Sequence, residues 1–281
     1  MNIIHESSGI EYHEPRKLAR EISRAEATLL VEPSISVLNF SRLDLAQRCH
    51  KSDFLMCYTP RHYPRRWGAH LMADRLNARI WARELKKLLN GISPKMVLFD
   101  RPGYSARVKL LDENLSVYYA HCDYTVDIIG QRNQQIAFAE RQMLHRVDLA
   151  LAASNELAER FRQDGAKRVE VFPCAYNGDL FDGNRSYAEP ESLRGLRRPR
   201  LLFSGHITGR IDFDGLVRTM ESRPNWQLVM IGAISDGLSD ELERSGRDPK
   251  VFEQLLSLKN VIYCGQVSLR EVPPYIAACD V

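Results

Sequence analysis

The chain has 281 residues, with 39 Lys and Arg against 36 Asp and Glu and 44% hydrophobic residues. This is an ordinary globular composition, and a net charge of +3 is too small to predict nucleic-acid binding. No apolar run approaches the roughly 18 residues that span a bilayer, and the N-terminal MNIIHESSG lacks the features of a signal peptide. The six cysteines show no C-x-x-C pair or zinc spacing, which indicates a reducing compartment, so we expect a cytoplasmic protein.

The first 180 residues alternate short apolar runs with amphipathic stretches. The amphipathic stretches predict helices over Ala69–Asn90, Arg132–Arg146 and Ser154–Gly165, the last with a capping serine and a terminal glycine. Near-continuous apolar strands between helices are typical of a parallel sheet covered on both faces. We therefore predict a Rossmann-like domain over residues 1–180. The predicted strands are Asn2–His5, Thr28–Glu32, Phe54–Tyr58, Met96–Asp100, Val117–His121, Leu149–Ala153 and Val169–Pro173.

A polar segment rich in Gly, Pro and Arg predicts a linker over residues 181–198, after which the alternation restarts. Strands are predicted within 199–207, 226–233 and 260–267, and helices within 212–224 and 252–259. A short helix then leads to Asp280-Val281, which reads as the start of another strand. A six-stranded lobe of this kind needs on the order of 150 residues. We therefore expect an α/β protein of two doubly wound domains, with the second (199–281) incomplete in a C-terminally truncated chain.

Three segments carry a resemblance to a known family. Ala139–Phe181 has Asp148, Ser154 and Leu157 in the order seen at the end of the first domain of that family, although its PCAYNGDLF stretch is shifted by an insertion. Leu201–Asp236 contains a Pro-x-Trp-x-Leu-x-x-x-Gly block, and the last 24 residues contain NV-x-x-x-G-x-V followed by CDV. Together these resemble the retaining glycosyltransferases of the GT-B fold, in particular the bacterial polysaccharide-type group 1 or family 4-like enzymes.

The resemblance implies two Rossmann-like domains and transfer of a sugar from a nucleotide-sugar donor to a glycan or lipid-linked acceptor. It implies a role in cell-surface polysaccharide synthesis, with no cofactor and no metal ion. The donor would bind between the domains, mainly on the second, and the acceptor on the first. Retaining transfer on one face of the sugar would need no side-chain nucleophile.

Candidate donor-binding residues lie at two glycine turns. The turn SGHITGR offers Gly205 and Gly209 for close approach of backbone N–H groups to a diphosphate, and Arg210 as a cation; no Lys accompanies it. Gly9, after the first predicted strand, resembles the glycine that faces the donor from the first domain. The alternative interpretation makes Gly205 and Gly9 plain turn residues and Arg210 an ordinary surface residue.

Candidate catalytic residues follow the strand in YYAHCDY, because parallel strands deliver ligand contacts at their carboxyl ends. His121 and Asp123 are predicted to contact the transferred sugar or to orient the acceptor hydroxyl. Arg101, after the preceding strand, is a candidate for acceptor binding. The alternative for His121 is a hydrogen-bonded core histidine.

Two basic clusters, Arg61–Arg66 and Arg194–Arg200, are either solvated loops or contacts with an anionic surface, such as the inner face of a membrane. GAISDGLS lacks the lysine of a phosphate loop, and no G-x-G-x-x-G, G-x-S-x-G or H-E-x-x-H motif occurs. Two rival functions stay open. One is a catalytically inactive remnant that binds acceptor or acts as a scaffold, and the other is a soluble Rossmann-like ligand-binding protein.

Overall fold

A computed structural model describes residues 3–6, 18–19, 21–31, 35–36, 49–52, 55–58, 61–62, 70–127 and 130–281. The chain forms two compact units. Unit 1 comprises Met1–Thr125 and Arg132–Cys174, and unit 2 comprises Val126–Gln131 and Ala175–Val281.

Unit 1 contains an eight-stranded sheet with the order β10-β9-β8-β7-β1-β2-β5-β4. Its neighbouring strands are parallel except for β4 and β5, which pair antiparallel at one edge. A separate parallel pair joins β3 to β6. The strands are β1 Ile3–Glu6, β2 Thr28–Val31, β3 Ile35–Ser36, β4 Cys49–Ser52, β5 Leu55–Tyr58, β6 Arg61–His62, β7 Met96–Phe99, β8 Leu115–Ala120, β9 Leu149–Ala152 and β10 Val169–Val171.

All seven strands predicted for the first domain are confirmed within one or two residues. The sequence did not predict β3, β4 or β6. Cys49–Ser52 reads CHKS, which has no apolar run, and an antiparallel edge strand does not need one. The sheet predicted as parallel is therefore a mixed sheet with one antiparallel edge.

The predicted helices of unit 1 are also confirmed, as α1 His70–Leu88, α2 Gln134–Arg146 and α3 Asn155–Gln163. The Ser154 hydroxyl caps α3 by accepting the Leu157 N–H at 3.2 Å. Gly165 follows α3 with φ +87°, and a Cβ there would lie 2.6 Å from the His145 ring. Ser154 and Gly165, which the sequence predicted as the start and end of this helix, therefore form its N-terminal cap and its C-terminal turn.

The core of unit 1 lies between the sheet and these helices. It is built from buried side chains of every one of these helices and of strands β2 and β7 to β9. Its largest members are Trp81, Tyr118, Phe99 and Phe161.

Unit 2 contains a three-stranded parallel sheet, β11 Arg200–Ser204, β12 Gln227–Ile231 and β13 Val261–Tyr263, in that spatial order. Beyond β11, the Asp280 N–H donates to the Arg200 carbonyl and the Leu202 N–H donates to the Val281 carbonyl. These hydrogen bonds place the last two residues beside β11, and the strand predicted to begin at Asp280 stays a prediction. The helices are α4 Phe213–Ser222, α5 Leu238–Arg244, α6 Val251–Ser257 and α7 Val272–Ala278.

Unit 2 has helices on both faces of its sheet. Leu228 and Met230 of β12 pack in one cluster with α4, α5 and α6, whereas Val229 and Ile231 pack in a second cluster with α7. Alternate residues of a strand point to opposite faces, so the sheet is wound on both sides. This confirms the predicted fold class.

The basic cluster Arg194–Arg200 is largely engaged inside unit 2. Arg198 pairs with Asp280, and Arg200, whose side chain is 5% exposed, pairs with Glu189. Arg194 lies 3.8 Å from a carboxylate oxygen of Glu191. These three arginines form ion pairs within unit 2, so they are less available to bind an external anionic partner.

Candidate functional site

The site residues predicted in unit 1 follow two adjacent strands. Arg101 comes just after β7, and His121 and Asp123 come just after β8. Because β7 and β8 are parallel neighbours, their carboxyl ends share one edge of the sheet. The predicted acceptor-side residues therefore lie at the same edge.

Tyr124 joins two of these residues. Its hydroxyl lies 3.0 Å from His121 Nδ1, and the two rings are edge-to-face with centroids 5.3 Å apart. The Arg101 guanidinium lies over the Tyr124 ring at 5.5 Å. Burial, together with the nearby Asp100 and Cys122, raises the pKa of Tyr124 well above its ordinary value. The phenol stays protonated at neutral pH and holds the half-buried His121 ring in place.

Asp123 belongs to a different network. Its Oδ1 accepts the Thr125 N–H at 2.8 Å and the Thr125 hydroxyl at 2.6 Å, and lies 3.3 Å from Nη2 of Arg160. Arg160 also donates to Oε2 of Glu140 at 2.6 Å, and the Tyr118 hydroxyl donates to Glu140 Oε1 at 2.8 Å. The structure thus fixes Asp123 through Arg160 and Thr125.

Glu140 is the buried member of that network, with a side chain 1% exposed. Burial raises its pKa, although hydrogen bonds from Arg160 and Tyr118 act in the opposite direction. Burial also raises the pKa of Tyr118, and the adjacent Glu140 carboxyl raises it further. These hydrogen bonds tie α2 and α3 to β8 and to the segment that follows it.

In unit 2, glycines stand at the carboxyl ends of all three strands. Gly205 follows β11, Gly232 follows β12, and Gly265 comes two residues after β13. The Gly205 N–H donates to the Ile231 carbonyl at 3.1 Å, and the Gly232 N–H donates to the Gly265 carbonyl at 2.9 Å. A Cβ on Gly232 would lie 1.7 Å from the Gly205 carbonyl oxygen. We call Gly205, Gly232 and Gly265 the glycine row. None of these three positions carries a side chain, so only their backbone atoms are present at these strand ends.

The other predicted glycine of this turn has a packing role. Gly209 is buried, its N–H donates to Oε2 of Glu241 at 2.7 Å, and a Cβ on it would lie 2.8 Å from the Cβ of Glu241. Arg247 donates to the carbonyls of Gly209 and Ile211. Glu241 and Arg247 therefore fasten the turn to α5 and the loop that follows it.

Arg210 and Gly205 are exposed, whereas the first turn of α4 is capped. The Asp212 carboxylate accepts the Gly215 N–H at 2.9 Å. We therefore expect an anion at this edge of the sheet to contact the turn that contains Gly205 and Arg210. The N-terminus of α4 is already capped by Asp212 and is not expected to bind it.

Of the predicted site residues, Gly9 lies outside the described residues. Sequence reasoning missed Tyr124, Arg160, Gly232 and Gly265. The two glycines stand in the two blocks that carried the family resemblance, so their position after apolar strands was the available signal. The contact between Asp123 and Arg160 joins residues 37 apart and had no local signal.

Among the described residues, no group of three or more His, Cys, Asp and Glu side chains is arranged to hold a metal ion. In the same part of the chain, no helix combines the length and apolar character needed to cross a bilayer.

Comparison with known proteins gives one curated relative and several similar solved structures. No protein-family model matches the chain. A curated relative, the putative teichuronic acid biosynthesis glycosyltransferase TuaH of Bacillus subtilis, is 22% identical over 218 residues. The match covers 72% of this chain and 52% of that protein, so the chain spans about half the length of its relative.

Solved structures give the same answer for the fold. Sucrose-phosphate synthase from Thermosynechococcus elongatus superposes with a TM-score of 0.67 at 15% identity, covering 99% of this chain and 74% of that one. HepE from Anabaena, determined with UDP and glucose, superposes with a TM-score of 0.61 at 15% identity, covering 100% and 72%. The predicted GT-B fold and the resemblance to glycosyltransferases are confirmed.

Proposed function

We propose that this chain acts in glycosyl transfer, moving a sugar from a nucleotide-sugar donor to a glycan or lipid-linked acceptor in cell-surface polysaccharide synthesis. The observation that carries the donor half of the proposal is the glycine row of unit 2. The similarity to TuaH supports the same reaction class, and so does the presence of UDP and glucose in the HepE structure.

The glycine row suits a diphosphate because no side chain projects from three neighbouring strand ends. Ligands of open α/β sheets bind outside the carboxyl ends of the strands, where backbone groups meet phosphate oxygens. Gly205 is exposed at one end of this row, and the exposed Arg210 comes five residues later in the same turn. The Gly205 and Gly232 N–H groups already donate to the Ile231 and Gly265 carbonyls, so we assign the stabilisation of a leaving diphosphate to the Arg210 guanidinium.

The acceptor half of the proposal rests on unit 1. The His121 ring, held by the Tyr124 hydroxyl at 3.0 Å, presents an imidazole at the carboxyl edge of the sheet. We assign it the contact with the sugar hydroxyls, and we assign Arg101 a supporting role in acceptor binding. Asp123 orients the same segment through its bonds to Thr125 and Arg160.

The reaction proposed is a transfer with retention. The bond between the anomeric carbon and the diphosphate oxygen breaks, and the acceptor oxygen bonds to that carbon on the same face. The acceptor proton passes to the leaving diphosphate oxygen. The side chains named above orient and stabilise these groups, and no covalent enzyme intermediate forms.

A matched pair of variants tests the donor site. Gly265 (φ +79°) and Gly246 (φ +75°) both lie in unit 2, and a Cβ on either would meet nothing within 4 Å. Changing either glycine to Ala costs about 1 to 2 kcal/mol of backbone strain. We expect Gly265→Ala to weaken nucleotide binding about tenfold by calorimetry, and Gly246→Ala to leave it unchanged.

The nucleotides used are UDP, GDP and ADP, because the sequence does not name the base. Equal loss of affinity in both variants would show that the loss comes from a less stable unit 2, and it would contradict the assignment of the glycine row as the donor site. If the unaltered chain binds none of the three, the transferase proposal fails. A protein that binds acceptor without catalysing transfer would then be the better description.

A further inference from the structure

One long helix of unit 1 has two different faces. On its inner face α1 buries Ala78, Trp81 and Leu85, each 1% exposed or less. On its outer face the spacing of three and four residues places Leu76, Arg79, Ile80, Arg83 and Lys87 in one stripe. We call these five residues the α1 stripe.

The α1 stripe is cationic and partly apolar. Arg79, Arg83 and Lys87 are exposed, and Leu76 is 51% exposed. Within the part of the chain that the structure describes, no ion pair involves Arg79, Arg83 or Lys87. By contrast, the neighbouring Lys86 pairs with Asp112 at 2.6 Å.

A cavity of about 720 Å³ opens beside the stripe. Besides the stripe, its lining consists of Ala82, Lys86 and Leu110. Every charged group in this lining is a cation, and every other group is aliphatic. The surface is therefore complementary to a molecule that is anionic at one end and apolar at the other.

The same lining argues against a soluble glycan or a nucleic acid as the occupant. Lys and Arg side chains only donate hydrogen bonds, so the sugar hydroxyl protons would find no side-chain acceptor here. No aromatic ring lines the cavity for stacking against a sugar or a base. An anionic headgroup with acyl chains meets neither difficulty.

We propose that the α1 stripe is a docking surface for an anionic lipid bilayer. Arg79, Arg83 and Lys87 contact the headgroups, while their aliphatic stems, Leu76 and Ile80 reach the apolar layer beneath them. The contact is peripheral, because the main apolar face of α1 stays in the core of unit 1. It differs from the basic clusters seen in the sequence, of which Arg194–Arg200 is engaged inside unit 2.

The test uses the full chain and vesicles of phosphatidylcholine with or without phosphatidylglycerol. We expect sedimentation with the anionic vesicles only. The triple variant Arg79→Gln/Arg83→Gln/Lys87→Gln should lower the partition coefficient on the order of 100-fold, given the contribution of each basic residue near an anionic surface. A triple variant of exposed unit 1 cations outside α1, Arg132→Gln/Arg162→Gln/Lys167→Gln, has the same change of charge and should bind as the unaltered chain does.

A second variant distinguishes a bilayer from a soluble polyanion. Leu76→Ser/Ile80→Ser keeps the charge and should weaken vesicle binding about tenfold while leaving binding of soluble polyphosphate unchanged. The proposal is overturned if the α1 triple variant binds vesicles normally or if both triple variants lose binding equally. It is also overturned if the Leu76→Ser/Ile80→Ser variant binds vesicles as the unaltered chain does. None of these readouts depends on transferase activity.

Discussion

Gly232 is the position in unit 2 that least tolerates a side chain. A Cβ there would lie 1.7 Å from the Gly205 carbonyl oxygen and 2.7 Å from its carbonyl carbon, and both are backbone atoms that cannot rotate away. Its backbone is held on both sides, by the Gly265 carbonyl at 2.9 Å and by the Tyr263 hydroxyl at 2.8 Å. The close approach of β11 and β12 at this edge depends on the missing side chain.

We expect Gly232→Ala to destabilise unit 2 by about 3 kcal/mol or more, because the two strand ends must separate to admit a methyl group. Hydrogen exchange of the full chain would show faster opening in β11 and β12. The control is Gly237→Ala, where φ is −104° and the nearest atom lies 3.9 Å from the new Cβ, so stability should change little. Unchanged exchange in the Gly232 variant would contradict the close approach described above.

A second prediction at this scale concerns Asp148. Desolvation opposes its ionisation, but hydrogen bonds from Lys109 Nζ at 2.6 Å and the Ser116 N–H at 2.8 Å outweigh this and lower its pKa. A carboxyl whose pKa is lowered by folding stabilises the folded state above its unfolded pKa of about 3.9. That stabilisation disappears as the pH falls through the lower, folded value.

Asp148→Asn should therefore cost roughly 1 kcal/mol at pH 7, a modest value because both partners are partly exposed. The difference from the unaltered chain should shrink as the pH falls below about 3.9. Urea unfolding at a series of pH values measures this. A difference that does not change with pH would show that the aspartate acts through packing alone.

At this scale the sequence predicted where these residues lie in the fold better than it predicted their contacts. It located Arg101, His121 and Asp123 after adjacent strands, because a strand end is a local pattern. The role of Gly209 was different: its buried N–H is taken by Glu241, which is 32 residues away along the chain. Contacts of that kind depend on packing between elements, which local patterns do not contain.

At the scale of elements, α3 shows the strength of end signals. Ser154 caps the first turn, and Gly165 closes the last one with φ +87°. We expect Ser154→Ala to lower stability by about 1 kcal/mol, because the Leu157 N–H loses its acceptor. The Ser154→Asp variant should retain most of the stability, since a carboxylate can accept the same hydrogen bond. Thermal unfolding of the two variants compares them directly, and equal losses would contradict the cap.

Helix α5 shows where such signals fail. Leu238–Arg244 is seven residues long, begins after Gly237 without a side-chain cap, and buries only Leu238 and Leu242. Leu238 and Leu242 pack in the cluster that contains α4 and α6. Glu241 accepts the Gly209 N–H, and Arg247, just after the helix, donates to the Ile211 carbonyl. Tertiary packing, rather than local propensity, produces this helix. The edge strand β4 was missed because its sequence, CHKS, has no apolar run.

At the scale of the whole molecule, the order of elements was predictable where parallel strands alternate with helices, as from β8 to α3 and from β11 to α7. It was not predictable from β4 to β6, where strands follow one another directly. The fold alone does not select a reaction, because one fold supports many chemistries. The glycine row and the groups around His121 are therefore the features to test.

We expect a bound nucleotide to slow amide exchange in unit 2 at the three strand ends, in and around Gly205, Gly232 and Gly265. Exchange in α1 and in the core of unit 1 should be unchanged, because the donor contacts assigned here lie in unit 2. Exchange mass spectrometry of the full chain with and without UDP would show this. Protection restricted to unit 1 would contradict the assignment.

The hydrogen bonds that hold Asp280 and Val281 beside β11 have a consequence for where a ligand would bind. The chain leaves β11 toward β12 by way of α4, on one face of the sheet, and returns past β11 on its other side by way of α7, on the opposite face. The direction of winding therefore reverses at β11, and such a reversal opens a crevice just beyond the strand between the two diverging connections. Gly205 directly follows β11, at the carboxyl end of the strand where the winding reverses. Two strand spacings, about 10 Å, separate it from Gly265, so a nucleotide anchored at the crevice would extend across the sheet edge toward β13.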